Sequence, residues 1–378
     1  MKFAPQVILI ASLFGWMFLS RIVNGLEPWQ GEEIESFLKI VIFLFLVTNA
    51  IDTKWKFKFL IWIIIIAYAD LAFVSRYQGV VAPYYENKNF FGYSLLGAIG
   101  FLGTFVMVER GILRKAEAIC YLMLIVLSIA GTNSRGTYLG LGVVLIILVL
   151  NNLRTKKVLL FVIPIMFILF TRVSDVHWER FRTVSVDMEQ RGTGGQRLAL
   201  WSAGLRMLST NPIFGVGSGE SGSNFLKYAT PEEQKRVGGT AKLHNMTLQI
   251  GAEMGMVGLG LFLVIVWLSV RDIWKMRKFC KQNQDLNHLR YLVDGLGITL
   301  VGLFVAGQFS NRGYDLEFYT IVCLAYCLKG IILREHQRVT EKQPEPEEPI
   351  IPVKWEVPFR TIMFIIFTYI NLTRFYGI

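Results

Sequence analysis

One imidazole and two guanidinium groups stand out by their positions. His244 ends the longest polar stretch of the chain, Thr171 to Asn245, at the mouth of an apolar run. A neutral imidazole there can take a proton from a hydroxyl group. Arg197 opens the segment Arg197-Leu-Ala-Leu-Trp201. Residues four apart share a helix face, and a guanidinium beside an indole at a membrane surface can hold a phosphate while the ring rests on lipid. Arg135 lies in the short turn Thr132-Asn-Ser-Arg-Gly136 between two apolar runs. A poorly solvated guanidinium gains more from a phosphate than one in bulk water. The Thr-Asn-Ser run is more than a turn needs, which favours a function for Arg135. A base and two cations at one face of a membrane suit chemistry on an anionic, lipid-linked substrate.

Each of these residues also has a plainer reading. Arg135 could be a helix-end arginine snorkelling to water. Trp201 could anchor a loop helix on the bilayer, ended by Asn211-Pro212. Asn245 could cap the helix that follows. Gly215-Val-Gly217-Ser-Gly219 follows no strand and reads as a turn rather than a nucleotide fingerprint. His177 competes with His244 but sits in a mixed, solvated-looking run. Glu253 lies inside a span, which makes it suspect by default. Nine residues at 100° place it across the helix from His244, so it reads as a helix–helix hydrogen-bond partner. Gly251, Gly255, Gly258 and Gly260 read as close-packing positions in that same span.

The elements that must position these groups are membrane helices. The chain has 378 residues, 53% of them hydrophobic, and a mean hydropathy of +0.46. Runs near 6–20, 37–51, 58–75, 90–108, 118–132, 136–150 and 157–171 precede the polar stretch, and 246–270, 291–310 and 315–333 follow it. With no water in the hydrocarbon core, runs this apolar are expected to be helices. The first carries one preceding lysine and no cleavage-like site, so it reads as retained. Ten or eleven transmembrane helices result, in an all-α polytopic membrane protein with one long, partly helical loop. The expected divisions are 1–170, 171–243, 244–333, a polar linker at 334–356 and a short apolar helix at 357–378.

Lysine and arginine counts set the orientation. Alternate connections around residues 54–58, 110–115, 154–157, 271–290 and 334–342 are rich in them, and the others, the long loop left out, hold only Arg21, Arg76, Lys88, Arg135 and Arg312. The N-terminus is therefore expected inside and the long loop outside, although that loop carries ten of the 39 lysines and arginines. The outward set adds Trp201, Asn245, Arg312 and Lys88 as substrate-binding candidates. The net charge of +11 follows from this topology and gives no reason to expect nucleic acid as a partner. Cys120, Cys280, Cys323 and Cys327 lie in or beside apolar runs without metal-site spacing, so neither a disulfide nor a metal centre is expected.

Three motifs occur in order: Gly-Thr-Asn-Ser-Arg135-Gly-Thr-Tyr-Leu-Gly-Leu; Arg197-Leu-Ala-Leu-Trp201 with Asn-Pro-Ile-Phe-Gly-Val-Gly-Ser-Gly; and His244-Asn-Met-Thr-Leu-Gln-Ile-Gly-Ala-Glu253-Met-Gly-Met-Val-Gly-Leu. Together they resemble the O-antigen ligase and O-antigen polymerase superfamily of bacterial inner membranes, over about residues 37–333. The resemblance implies a GT-C-like fold. It also implies transfer of a glycan from an undecaprenyl-pyrophosphate carrier to a periplasmic acceptor, without metal, cofactor or nucleotide sugar. The acceptor would be another glycan, a lipid A core or a protein, and membrane lipids would surround the site. Arg135, Arg197 and His244 match the family's essential positions. About twelve spans are implied, with more than seven before the large loop. This chain shows seven there, as if a hairpin were missing, and the linker and apolar tail after residue 334 are additional.

The expected reaction inverts the anomeric carbon. His244 is the base, and Arg135 and Arg197 stabilise the departing pyrophosphate. A polymerase would use the same chemistry on a lipid-linked acceptor. A polysaccharide or lipid transporter is the non-enzyme alternative. It would favour internal repeats and paired broken helices, and no clear repeat is present.

Overall fold

The computed structural model describes residues 4–78, 88–151, 162–167, 193–344, 359–366 and 368. Among them every regular element is helical. In chain order they are α1 (Pro5–Val23), α2 (Glu32–Ala50), α3 (Lys54–Gln78), α4 (Lys88–Val108), α5 (Ile112–Thr132), α6 (Arg135–Asn151), α7 (Thr193–Thr210), α8 (Phe225–Tyr228), α9 (Pro231–Val237), α10 (Met246–Gln282), a 3-10 turn (Gln284–Leu289), α11 (Arg290–Gly307) and α12 (Leu316–Thr340). Residues 162–167 and 359–366 are helical as well.

Six helices are long and apolar enough to cross a membrane: Pro5–Val23, Lys54–Arg76, Lys88–Val108, Met246–Gln282, Gln284–Gly307 and Leu316–Thr340. Arg135–Asn151 is apolar but shorter. The chain is thus an all-α polytopic membrane protein. The runs expected at 37–51 and 118–132 are helices, α2 and α5, but are not among the six. Of the run expected at 157–171 only residues 162–167 are described, and of the short apolar helix expected at 357–378 only 359–366 and 368; these pieces are helical.

The chain forms two compact units. One comprises Met1–Asn49, Val173–Ser269 and Gly307–Cys323, and the other Ala50–Arg172, Val270–Ala306 and Leu324–Ile378.

In the second unit α4 is the buried strut, with Phe91 to Thr104 inside throughout. Its small residues allow this. A methyl group on Gly100 would lie 2.3 Å from Thr299 Oγ1 and 2.6 Å from the Gly295 carbonyl of α11. Lipid tails are as apolar as leucine, so helices in a bilayer gain from such close backbone approach. The helical segment 359–366 docks on α3 and α5. Arg360 makes a bidentate pair with Glu117 at 2.6–3.0 Å and lies 4.1 Å over the Trp62 ring. Phe364 meets Phe73 and Tyr121 at 6.0 and 5.6 Å.

The first unit holds the site. The inward stripes of α1 (Val7, Ile10, Leu13, Met17) and α2 (Ile34, Phe37, Ile40, Leu44, Val47) recur every three or four residues, as a helix requires. Phe14 and Phe37 join them at 6.3 Å. Each fully buried large side chain contributes about 1.5–3 kcal/mol where it leaves water. The long helix α10 breaks at Gly255, whose φ is 68° and ψ −168°. A break inside a membrane helix frees backbone groups that must find other partners. Here they all do. The Ala252 and Glu253 carbonyls accept from Val216 and Gly217 N–H at 2.9 and 3.1 Å, and Met256 N–H donates to Pro212 O at 2.7 Å. Ser20 Oγ and Trp16 Nε1 reach the Glu253 and Met254 carbonyls, both at 2.9 Å.

The glycine-rich turn is therefore more than a connection: it completes the broken helix. A Cβ on Gly215 would fall 2.3 Å from the Glu253 carbonyl carbon, and one on Gly255 2.2 Å from Ile213 O. This corrects two sequence expectations. Gly255 serves the break rather than helix packing, and Gly260 faces open space. Arg21, expected only as an outward charge, is buried and pins this turn. It donates to the carbonyls of Ser218 (2.6 Å) and Glu27 (3.0 Å) and pairs with Glu220 at 3.4 Å.

Candidate functional site

Helix α7 supplies Arg197 and Trp201. Its inner face, Leu200, Ala203 and Met207, enters a cluster with Val216, Phe225, Leu243 and Ala252. The inner face of the helix rests on protein, and Trp201 packs against the same cluster. The indole N–H of Trp201 donates to the Leu243 carbonyl at 3.1 Å. At the other end of α7, Arg206 pairs with Glu233 and donates to Tyr228 O at 2.6 Å. Glu233 is the third residue of a capping box with Thr230 that starts α9.

The Arg197 side chain leans toward the α11–α12 connection. Its Nη2 donates to Phe309 O at 3.5 Å, and the guanidinium carbon lies 5.8 Å from the centroid of the Phe309 ring. Trp201 approaches the same ring at 6.5 Å.

His244 precedes α10 and has φ +51°, in the left-handed region. Non-glycine residues enter it rarely and at a cost, so the surroundings must hold it there. Its N–H donates to Asn311 Oδ1 at 2.7 Å. The next residue, Asn245, caps α10, its Oδ1 accepting from Leu248 N–H at 2.9 Å. Both flanks of the imidazole are thus fixed, by Trp201 through Leu243 and by the cap. Burial lowers the imidazole pKa below its ordinary 6.5, and the charges of Arg197 and Lys242 lower it further. The ring is neutral at neutral pH and fit to accept a proton.

Glu253 is buried and faces four donors: Gly219 N–H (2.9 Å), Ser221 N–H (3.4 Å), Ser221 Oγ (2.5 Å) and Tyr314 Oη (2.5 Å). It was expected to bond another span. Instead it joins the glycine-rich turn to the α11–α12 connection, because the break in α10 admits the turn. Arg312, a substrate-binding candidate, is buried and pairs with Asp315 at 2.7 Å. Burial raises the Asp315 pKa to about 8 even against that partner.

Arg135 opens α6 in the second unit. The polar run before it proves to be turn chemistry, contrary to the sequence argument. Asn133 takes the left-handed position with φ 51°. Thr132 Oγ1 donates to Ile129 O at 2.7 Å and accepts from Ser134 N–H at 3.3 Å. Ser134 Oγ accepts from Thr137 N–H and Thr137 Oγ1, at 3.4 and 2.9 Å, as a helix cap does. The case for Arg135 rests on its charge at a helix N-terminus, where an anion meets guanidinium and helix dipole together. Lys88 is exposed at the first residue of α4, also in the second unit. His177 lies outside the described residues.

Within the first unit the fold assembles Arg197, Trp201, His244 and Asn245, from α7 and the start of α10, with Arg312 in the neighbouring connection. Asn311 was given no role in the sequence reading, and Tyr314 and Asp315 were missed. The only sequence signal for them was a polar cluster, Ser310 to Asp315, between two apolar runs. Among the described residues no group of His, Cys, Asp and Glu could hold a metal ion.

The chain is thus a polytopic all-α membrane protein in which candidate Arg197 and His244 both reach the α11–α12 connection, through Phe309 O and Asn311 Oδ1. Residues 120–263 match the family described as O-Antigen ligase, and the match supports membership of that family. Arg135, Arg197, Trp201, His244 and Glu253 all fall within the matched segment, and the class is that of membrane enzymes that ligate or polymerise glycans. No curated protein matches the chain significantly.

Proposed function

We propose that the protein transfers a glycan from an undecaprenyl-pyrophosphate carrier to an acceptor hydroxyl, at the periplasmic face of a bacterial inner membrane. The observation that carries this is that Arg197 and His244 both hold to the α11–α12 connection, on Phe309 O and Asn311 Oδ1, with the His244 backbone clamped on both sides. His244 takes the acceptor proton as the acceptor oxygen attacks the anomeric carbon. The bond from that carbon to the pyrophosphate oxygen breaks, and the electron pair leaves with the carrier. The leaving group is already ionic, so it needs cations rather than a proton. Arg197 supplies one, and Arg135 is proposed as the second on its sequence motif. Direct displacement inverts the anomeric configuration.

Lys88 is proposed to add positive charge where an anionic substrate is handled. Trp201 and Asn245 are proposed to serve chiefly by fixing the backbone around His244, because their polar groups are engaged there. Arg312 is proposed to order the α11–α12 connection through Asp315.

The test uses the purified protein in liposomes containing a polyprenyl-pyrophosphate glycan, with candidate acceptors added and the products weighed by mass spectrometry. Glycan on a separate acceptor is the expected product of a ligase. Lengthened carrier-linked glycan would assign the same chemistry to a polymerase. Absence of transfer to any glycan, lipid or protein acceptor would overturn the proposal.

A further inference from the structure

His244 owes its geometry to a residue outside the segment that matches the family, from a connection 67 residues further along the chain. The left-handed backbone at His244 turns the imidazole away from the direction a helical continuation would give it. Such a conformation persists only when its surroundings over-determine it. Asn311 provides the restraint, a 2.7 Å hydrogen bond from the His244 N–H to its Oδ1. That donor also dictates which end of the amide faces His244, and so directs the NH2 elsewhere. The Asn311 Nδ2 is buried and has no hydrogen-bond partner among the described residues, and the same holds for Oγ of the adjacent buried Ser310. A buried donor left unmade costs about 1–3 kcal/mol, which favours a polar ligand that supplies the acceptor.

Asn311 is itself held in place. Arg197 reaches the Phe309 carbonyl on one side. On the other, Tyr314 donates to Glu253 at 2.5 Å, Gly313 N–H donates to Gln249 Oε1 at 3.3 Å, and Tyr319 donates to Gly313 O at 2.7 Å. The α11–α12 connection is thereby tied to α7 and to α10, the two elements that present Arg197 and His244.

We propose that Asn311 is a positioning residue for His244, with its Oδ1 fixing the backbone that aims the imidazole and its NH2 offered to a hydroxyl of the acceptor sugar. This rests on the glycan-transfer reading above. A base loses rate when the one bond on its own backbone N–H is lost, even with its neighbours fixed, because a misplacement of about 1 Å can cost on the order of a hundredfold.

The test compares Asn311→Ala and Asn311→Asp proteins in the liposome transfer assay, with His244→Ala alongside. Alanine removes both functions, so kcat is expected to fall by about ten- to a hundredfold. Aspartate keeps the acceptor oxygen and loses the amide donor. It should retain most of kcat, raise KM for the acceptor, and move the acidic limb of the pH profile upward, since a nearby carboxylate favours imidazolium. A wild-type kcat and pH profile for Asn311→Ala would overturn the proposal. Should that variant fail to fold, Asn311→Asp decides alone, and an unmoved acidic limb with unchanged acceptor KM overturns it. Full transfer by His244→Ala would instead sink the reading of the site. An inactive His244→Ala beside unaffected Asn311 variants would sink only the role of Asn311.

Discussion

At the scale of the residue, His244 combines a left-handed backbone, half-burial and two neighbouring cations. Its pKa lies below 6.5, the ordinary value, with burial as the larger cause and the charges of Arg197 and Lys242 adding to it. As the proposed base, His244 would act unprotonated, so transfer should hold level through neutral pH and decline only below that ordinary value. The same shift makes a stability contribution that is present above the unfolded pKa and lost as pH falls through the folded one. Lys242 is exposed and pairs with Glu33 at 3.4 Å, apart from the proposed chemistry. Lys242→Gln should therefore move the acidic limb upward while leaving the rate at mildly alkaline pH unchanged. Initial rates across a pH series check this, and a limb moving downward would contradict the electrostatic origin of the shift. His244, Arg197 and Trp201 were legible in the sequence because residue type and position at a membrane boundary announce them. Asn311 was not, since an asparagine between two apolar runs is an ordinary connector until the fold carries it to His244. The Thr132-Asn-Ser134 run misled for the complementary reason. Capping serine and threonine look the same in sequence as ligand-binding ones.

At the scale of the element, the broken helix α10 and the glycine-rich turn are one device. Apolar periodicity revealed α10 as a span but not its break, because glycine in a membrane helix more often signals close packing. The sign that tells the two apart is a positive φ, which no sequence pattern displays. The turn fills the gap with its own backbone N–H and C=O groups, and Glu253 ties it to Tyr314. Gly215 has φ +67°, and a Cβ there would meet the Glu253 backbone at 2.3 Å, whereas one on Gly260 meets nothing within 4 Å. Gly215→Ala should lower stability by about 1–3 kcal/mol, from backbone strain added to the clash. Gly260→Ala should leave it unchanged or slightly raised. Thermal unfolding of both variants in detergent, followed by the near-ultraviolet signal, measures the contrast. Equal melting of the two would show that the turn does not depend on glycine there.

At the scale of the molecule, the polytopic helical class was legible from hydropathy alone, since a bilayer leaves helices as the way to satisfy the backbone of such runs. The division into two compact units was not, because it follows contacts between stretches distant in the sequence. The first helix, α1, joins the polar segment after residue 193 through Arg21 on Ser218 O, Ser20 on Phe214 O and Trp16 stacked on the Phe214 ring. Nothing in the spacing of α1 indicates that partnership. Long-range assembly also gathers the candidate groups: Arg197 and His244, 47 residues apart in the chain, both reach the α11–α12 connection. The most direct measurement is single-turnover transfer from a polyprenyl-pyrophosphate glycan by Arg197→Ala and His244→Ala proteins, each shown to be folded. Loss of one preorganised group at a charge-developing centre costs on the order of 10²–10³ in rate, and a fall of that size is expected for each variant. Near-wild-type transfer by both would contradict the assignment of this arginine and histidine to glycan transfer.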